Sequence, residues 1–161
     1  MSSIKVIVVS DTHHVTQPII QALKKEKDAD AFFFLGDFVE DGEKIKKELK
    51  IPSHIIGGNG DWSTYYKKEM IVKLGGKKIL LIHGHKQGVK NGLQRLYYHA
   101  LENKADAVLF GHTHMPGVHR EEDLFMLNPG SPSFPRGGFT QGTYGILHIG
   151  QMITGEIKKI G

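Results

Sequence analysis

Five short stretches carry side chains able to do chemistry, and each follows an apolar run. "SDTHH" comes after Val9 and supplies Asp11 and His13, and "GDFVED" comes after Leu35 and supplies Asp37. "GGNGD" follows Ile56 and supplies Asn59 and Asp61. "HGH" follows Ile82 and supplies His83 and His85, and "GHTH" follows Phe110 and supplies His112 and His114. No one of these is decisive: an isolated His-x-His is as readily a pair of exposed loop histidines as a pair of ligands. Brought together, they make a cluster of carboxylates, an amide and imidazoles, usually beside a glycine that lets the backbone turn sharply and approach closely. Packed together and empty, such a cluster would bury polar groups without partners, at kilocalories apiece. Divalent cations remove that cost. Oxygen and imidazole donors without thiolate suit Mn, Fe, Zn, Co or Ni, and the donor types alone do not choose.

Asp11, His13, Asp37, Asn59, His83, His112 and His114 are too many ligands for one tetrahedral ion and about right for two ions sharing a carboxylate. Two divalent ions bring four positive charges, of which Asp11 and Asp37 cancel two. The surplus would hold a bridging hydroxide and attract a phosphate oxygen. Metal binding lowers the pKa of water from about 15.7 to about 7, and ions roughly 3.5–4 Å apart clamp phosphoryl oxygens.

The elements that must position these groups are short. The apolar runs Ile4–Val9, Ala31–Leu35, His54–Ile56, Ile79–Ile82 and Ala107–Phe110 are continuous, not alternating, which suits strands buried on both faces of a largely parallel sheet. The carboxyl ends of parallel strands meet at one edge, where ligands sit. Helical patterns lie between: Thr16 caps a helix with Pro18 in its first turn, "EDGEKIKKELK" places Ile45 and Leu49 four apart, and 91–102 carries Leu93, Leu96, Tyr97 and Leu101. Glu40 and Asp41 are expected to open the helix after the Asp37 loop. "EMIVKLGGKKILLIHGH" reads as two strands about a Gly75–Gly76 turn, and the segments after His114 read as antiparallel strands. The expected fold is α/β, two mixed sheets packed face to face with helices outside, in one domain spanning 1–161.

Composition narrows the class. The 161 residues include no cysteine, which excludes disulfides, thiolate sites and cysteine nucleophiles. The start "MSSIKVIVVSD" has no basic segment leading into a long apolar one, and no apolar stretch approaches 18 residues, so a cytoplasmic protein without membrane partners is expected. The net charge is +4, but the lysines are scattered in small groups beside Glu or Asp. Nucleic acid is not an expected partner, because no basic stripe interleaves with aromatics. Whether apolar surface makes a homo-oligomer, dimer or tetramer, is left open.

In order, "D-T-H" at Asp11–His13, "G-D" at Gly36–Asp37, "G-N" at Gly58–Asn59, "H-G-H" at His83–His85 and "G-H-T-H" at Gly111–His114 resemble the calcineurin-like metallophosphoesterases. With "NPGSP" at Asn128–Pro132 and the short length, the chain resembles the small bacterial and archaeal phosphodiesterase branch. The resemblance implies a four-layer α/β/β/α sandwich. It implies one metal held by Asp11, His13 and His114, another by Asn59, His83 and His112, and Asp37 bridging them, with Thr113 a spacer. The implied cofactor is a pair of divalent ions, manganese first, with Fe, Zn, Co, Ni or Mg also compatible. The implied activity is hydrolysis of small phosphodiesters by a metal-bridging hydroxide, with Asp37 and Asn59 serving catalysis as well. The alternatives are a nuclease, a phosphomonoesterase, or a non-catalytic scaffold on the same fold.

One departure matters. Many relatives read "G-N-H-[DE]", whose histidine protonates the leaving group, whereas this chain reads "GNGD", and Gly60 cannot donate a proton. Leaving-group assistance is then weak or falls to His85 or His14. His85 is expected to share a face with His83 if the strand continues. Asp61 is a candidate for orienting the asparagine loop or touching substrate, and His14 and Arg136 are further substrate candidates, Arg136 as a forked phosphate donor. Trp62, Tyr65 and Tyr66 are candidates to flank the pocket. His54, His99, His119 and His148 are expected at the surface or in structural roles.

Overall fold

The computed structural model describes residues 3–62, 65–136, 138 and 140–160. Two five-stranded sheets face one another. In the first, β1 (Ile4–Val9), β2 (Ala31–Phe34) and β3 (Ser53–Ile55) run parallel, and β9 (Thr143–Ile149) and β10 (Ile153–Lys159) add antiparallel beyond β1. In the second, β4 (Glu69–Leu74) pairs antiparallel with β5 (Lys77–Ile82). β6 (Ala107–Leu109) lies parallel between β5 and β8 (Leu124–Asn128), and β7 (Gly117–Glu121) is the antiparallel edge.

The continuous apolar runs follow from this layering. Along β1 and β2, Val6, Val8, Ala31 and Phe33 point into the core between the sheets. The alternate residues Ile7, Val9, Phe32 and Phe34 point to α1 (Gln17–Leu23) and α2 (Val39–Leu49) on the outside. A strand with a core on both faces has no polar face to alternate with. α3 (Gln94–Glu102) covers the other sheet through Leu96 and Ala100 against Leu80, Val108 and Met126. The result is the four-layer α/β/β/α sandwich. Each such side chain withdrawn from water contributes about 1.5–3 kcal/mol.

One expectation is corrected. The third helix begins at Gln94, not at 91, because left-handed Gly88 (φ 62) and Gly92 (φ 126) break the preceding segment into short 3-10 turns at His85–Gln87 and Val89–Asn91. The segments after His114 pair antiparallel as expected, β7 with β8 and β9 with β10, while β8 also lies parallel to β6. The Gly75–Gly76 turn is as expected, both residues at positive φ (60 and 77), as a tight hairpin requires. Among the described residues, no helix is long and apolar enough to cross a membrane.

Candidate metal centre

The five tips meet, and they come from both sheets. β1, β2 and β3 deliver Asp11 with His13, Asp37 and the Asn59 loop from one side; β5 and β6 deliver His83 and then His112 with His114 from the other. Asp11, His13 and His114 bring ligand atoms within 4.8 Å of one another, and so do Asp11, Asp37 and His83. His13 Nε2 and His114 Nε2 lie 3.2 Å apart. Asp11 Oδ1 is 3.5 Å from His114 Nε2 and 3.8 Å from His83 Nε2, and Asp37 Oδ2 is 3.4 Å from His83 Nε2. The His112 ring lies 5.1 Å from the His83 ring.

Each carboxylate has one oxygen fixed by the protein. Asp11 Oδ2 accepts from Ser10 Oγ at 2.7 Å and His112 N at 3.0 Å, and Asp37 Oδ1 accepts from Gly60 N at 2.8 Å. Two imidazoles are fixed the same way, His83 Nδ1 donating to Leu35 O at 2.8 Å and His114 Nδ1 to Phe134 O at 2.9 Å. A proton held on Nδ1 leaves Nε2 as the electron-pair donor, which is the arrangement of metal-ligating histidines.

What remains is unspent. Asp11 Oδ1 and His83 Nε2 are fully buried and have no hydrogen-bond partner among the described residues; His85 Nδ1 is in the same position. Buried polar atoms are costly to leave unpaired. Oxygen and imidazole donors converging with lone pairs inward fit divalent cations.

The electrostatics agree. Burial, with the charge of His83 and Lys90, pushes His112 down to about 4. Burial and His114 lower His13, and burial and His83 lower His85. Burial alone would push the Asp37 carboxyl up, but neighbouring His83 and the Gly60 N–H outweigh it and hold it well below the usual carboxylate range. Burial opposes a charged His83, yet Asp37 and Asp11 outweigh that and raise it. Asp37 is thus held toward its ionised form and His13, His85 and His112 toward their neutral forms, while the raised His83 sets proton binding in competition with a cation.

A family model of the calcineurin-like phosphoesterase superfamily domain matches residues 4–152. The chain belongs to that superfamily. This calcineurin-like phosphoesterase is 34% identical over 145 residues to the probable metallophosphoesterase YsnB of Bacillus subtilis, covering 89% of this chain and 83% of that one. It is 38% identical over 71 residues to the phosphodiesterase YfcE of Escherichia coli, covering 44% of this chain and 34% of that one. A crystal structure of a predicted phosphoesterase from Streptococcus pneumoniae superposes with a TM-score of 0.83 at 28% identity, over 99% of this chain and 91% of that one. The family places the chain among phosphoester hydrolases.

Other residues of this phosphoesterase fall less simply. Asn59 is exposed, in a loop pinned on both sides: Gly58 N donates to Asp61 and Gly60 N to Asp37. The resemblance implies Asp37 as the bridge; among the described residues Asp11 is common to both clusters, and Asp37 joins it in the one with His83. Both Asp61 oxygens are taken by backbone donors. Oδ1 accepts from Phe38 N (2.7 Å) and Val39 N (2.9 Å), and Oδ2 from Asp37 N (2.9 Å) and Gly58 N (2.8 Å). That makes it a brace between two ligand loops, not a substrate contact. β5 ends before His83, and left-handed Gly84 (φ 103) sends His85 into a 3-10 turn. The expected shared strand face is therefore absent, although the two rings lie 5.5 Å apart. His14 lies on Phe38 (4.0 Å between ring centroids), 3.8 Å from Glu40 and Asp41. Tyr66 donates to Glu43 at 2.7 Å, and Trp62 is exposed. His99 faces Glu69 and His119 faces Glu121, away from the centre.

Three braces were missed from sequence. Asp41 opens α2 as expected, but it is also buried, accepting from Thr12 Oγ1 at 2.6 Å and His14 N at 2.7 Å. Thr113 is more than a spacer: its Oγ1 accepts from Asn128 Nδ2 at 2.9 Å and Met115 N at 3.1 Å. Ser131 Oγ donates to Asp11 O at 2.8 Å. The sequence signal for Asp41 was available, since it lies four residues before the buried Ile45 on one helix face.

Proposed function

We propose that this calcineurin-like phosphoesterase is a two-ion phosphodiesterase acting on small phosphate diesters. The observation that carries the reading is the pair of buried, unpartnered atoms, Asp11 Oδ1 and His83 Nε2, set between the His13–His114 pair and Asp37. Asp11, His13 and His114 would hold one divalent ion, and Asp37, Asn59, His83 and His112 the other. When bound, such ions lower the pKa of water toward neutrality and polarise phosphoryl oxygens, and manganese is our first choice among them.

The chain's own residues orient and hold. The backbone N–H groups on Asp11 and Asp37 fix which oxygen of each faces inward. The carbonyls of Leu35 and Phe134 fix the tautomers of His83 and His114. Gly60 supplies no acid, and burial with neighbouring His83 lowers His85 from its ordinary value, so less of its protonated form is available to donate. A phosphodiester whose leaving group is already acidic needs least help, so aryl diesters should react fastest.

The test is metal analysis with hydrolysis. Protein loaded with Mn²⁺ is expected to bind two ions per chain and to hydrolyse bis(4-nitrophenyl) phosphate far faster than an alkyl diester. Asp37→Ala and Asn59→Ala should abolish turnover. A chain that takes up no stoichiometric metal and turns over neither ester is a scaffold, and the reading fails.

A further inference from the structure

A cavity of about 440 Å³ opens directly against one half of the centre, lined by His13, His114, Ser133, Phe134, Pro135 and Arg136. Its outer wall is tied to the ligand loops at several points. Ser131 Oγ accepts from Phe134 N at 2.9 Å while donating to Asp11 O, and Ser133 Oγ donates to Thr12 O at 2.8 Å. Phe134 O accepts from the ligand candidate His114, and Arg136 N donates to His114 O at 3.1 Å. The wall and the His13–His114 pair therefore form one unit, with the Phe134 ring edge-on to His13 at 5.0 Å.

The wall has two chemical parts. Phe134 and Pro135 offer an apolar surface, with Phe134 half exposed (52%). Arg136 is exposed, has no carboxylate partner among the described residues, and lines the cavity together with His13. A guanidinium without a protein partner, rooted beside a metal ligand, is a forked donor for an anion. A flat apolar wall beside it suits an aromatic body.

A phosphodiester has two arms, and the centre needs only the phosphate between them. We propose that this cavity receives one ester arm of the substrate, an aromatic group bearing its own anion, which pairs with Arg136. The substrate class is then a diester with a negative charge beyond that of the scissile phosphate. The inference rests on the phosphodiesterase reading for the substrate's identity, and on the cavity for its shape and charge.

Binding tests it separately from turnover. Calorimetry on the Mn²⁺-loaded protein at pH 8 compares 4-carboxyphenyl phenyl phosphate with diphenyl phosphate, two aryl esters that lack the acidic nitrophenol leaving group and differ by one carboxylate. The carboxylate should tighten binding about tenfold, the scale of a charge-assisted hydrogen bond in a half-open site. Arg136→Gln should erase that preference, Arg136→Lys keep part of it, and Arg136→Glu reverse it, with metal stoichiometry unchanged as the control for folding. Equal binding of both esters by the wild type overturns the proposal. So does an Arg136→Gln variant that weakens both equally, which would put the guanidinium on the scissile phosphate. Release of 4-nitrophenolate from 4-nitrophenyl phenyl phosphate is read in parallel. A charge preference without turnover sinks the phosphodiesterase reading and leaves the subsite standing, and turnover without a preference does the reverse.

Discussion

Asp61→Asn is the substitution whose consequences the structure defines best. The side chain keeps its shape, so no cavity opens, but one of its two acceptor oxygens becomes an amide NH₂. Four backbone N–H groups converge on the carboxylate, two on each oxygen. Whichever way the amide turns, two of those donors lose their acceptor and meet another donor instead. Each unmade bond costs about 1–3 kcal/mol where water cannot replace it. Asp61 is half-buried, so water reaches part of the cluster, and the lower end of the range applies. The loss of negative charge at the start of α2 adds about 0.5 kcal/mol. Release of Phe38 from its left-handed backbone (φ 70) returns some of this. The net expectation is a loss of about 2 kcal/mol, read as a lower denaturant midpoint at constant slope in metal-free protein. Against a typical total of about 5–15 kcal/mol the variant still folds. Metal titration then separates a brace from a mere stabiliser. The ion held by Asp37 and Asn59 should weaken about 10–100-fold, as when other outer partners of ligands are lost, while the His13–His114 ion is less affected. A variant within about 0.5 kcal/mol of wild type, with both affinities unchanged, would refute the reasoning.

Two further outcomes follow from the same geometry. A Cβ at Gly58 would stand 2.7 Å from Asp37 N and 2.9 Å from His83 Nδ1, so Gly58→Ala should fold, judged by circular dichroism, yet lose about one metal ion per chain. In metal-free protein, stability should peak near pH 6.5. Between pH 6.5 and about 4 the unfolded chain protonates the histidine at 112 while the folded one does not, so acid destabilises the fold. Below the ordinary carboxylate range the depressed Asp37 adds to that loss. Above 6.5 the sign reverses through His83: its raised value contributes stability below 6.5 that disappears as pH climbs through the folded value. Denaturant midpoints from pH 3.5 to 8.5 in chelator check this, and a midpoint that rises on acidification from 6.5 to 4 contradicts it.

The chemistry was more legible in the sequence than the means of holding it. Strand tips could be read because the signal is local: an apolar run, a glycine, then Asp, Asn or His. The division of those tips between two sheets could not, since a continuous apolar run looks the same in either. The braces were harder still. Ser131 meets Asp11 across 120 residues and Asn128 meets Thr113 across 15, and nothing in the spacing of a serine or an asparagine announces a partner so far away. The third helix was read three residues too long because Leu93 continues the apolar spacing, while the glycines at 88 and 92 set the backbone before it.

The residue types themselves fit the turns they occupy. Asp11, His13, Asp37, His112 and His114 all have positive φ, between 52 and 73, as does His14 beside them. A strand leaves its sheet in an extended direction, and a ligand must be turned back across the tip to face one from the opposite sheet. The left-handed conformation makes that reversal within one residue. It costs most side chains about 1–2 kcal/mol, whereas Asp, Asn and His occupy it several-fold more readily. Short polar side chains that can bind a cation are therefore also among those that best tolerate the backbone needed to aim them. The hydrogen bonds that Asp61 and Asp41 accept, that Ser131 donates and that join Asn128 to Thr113 then offset what strain remains. On this account the donors are held in place by the protein's own contacts, so cation binding meets a prearranged site and need not fold one.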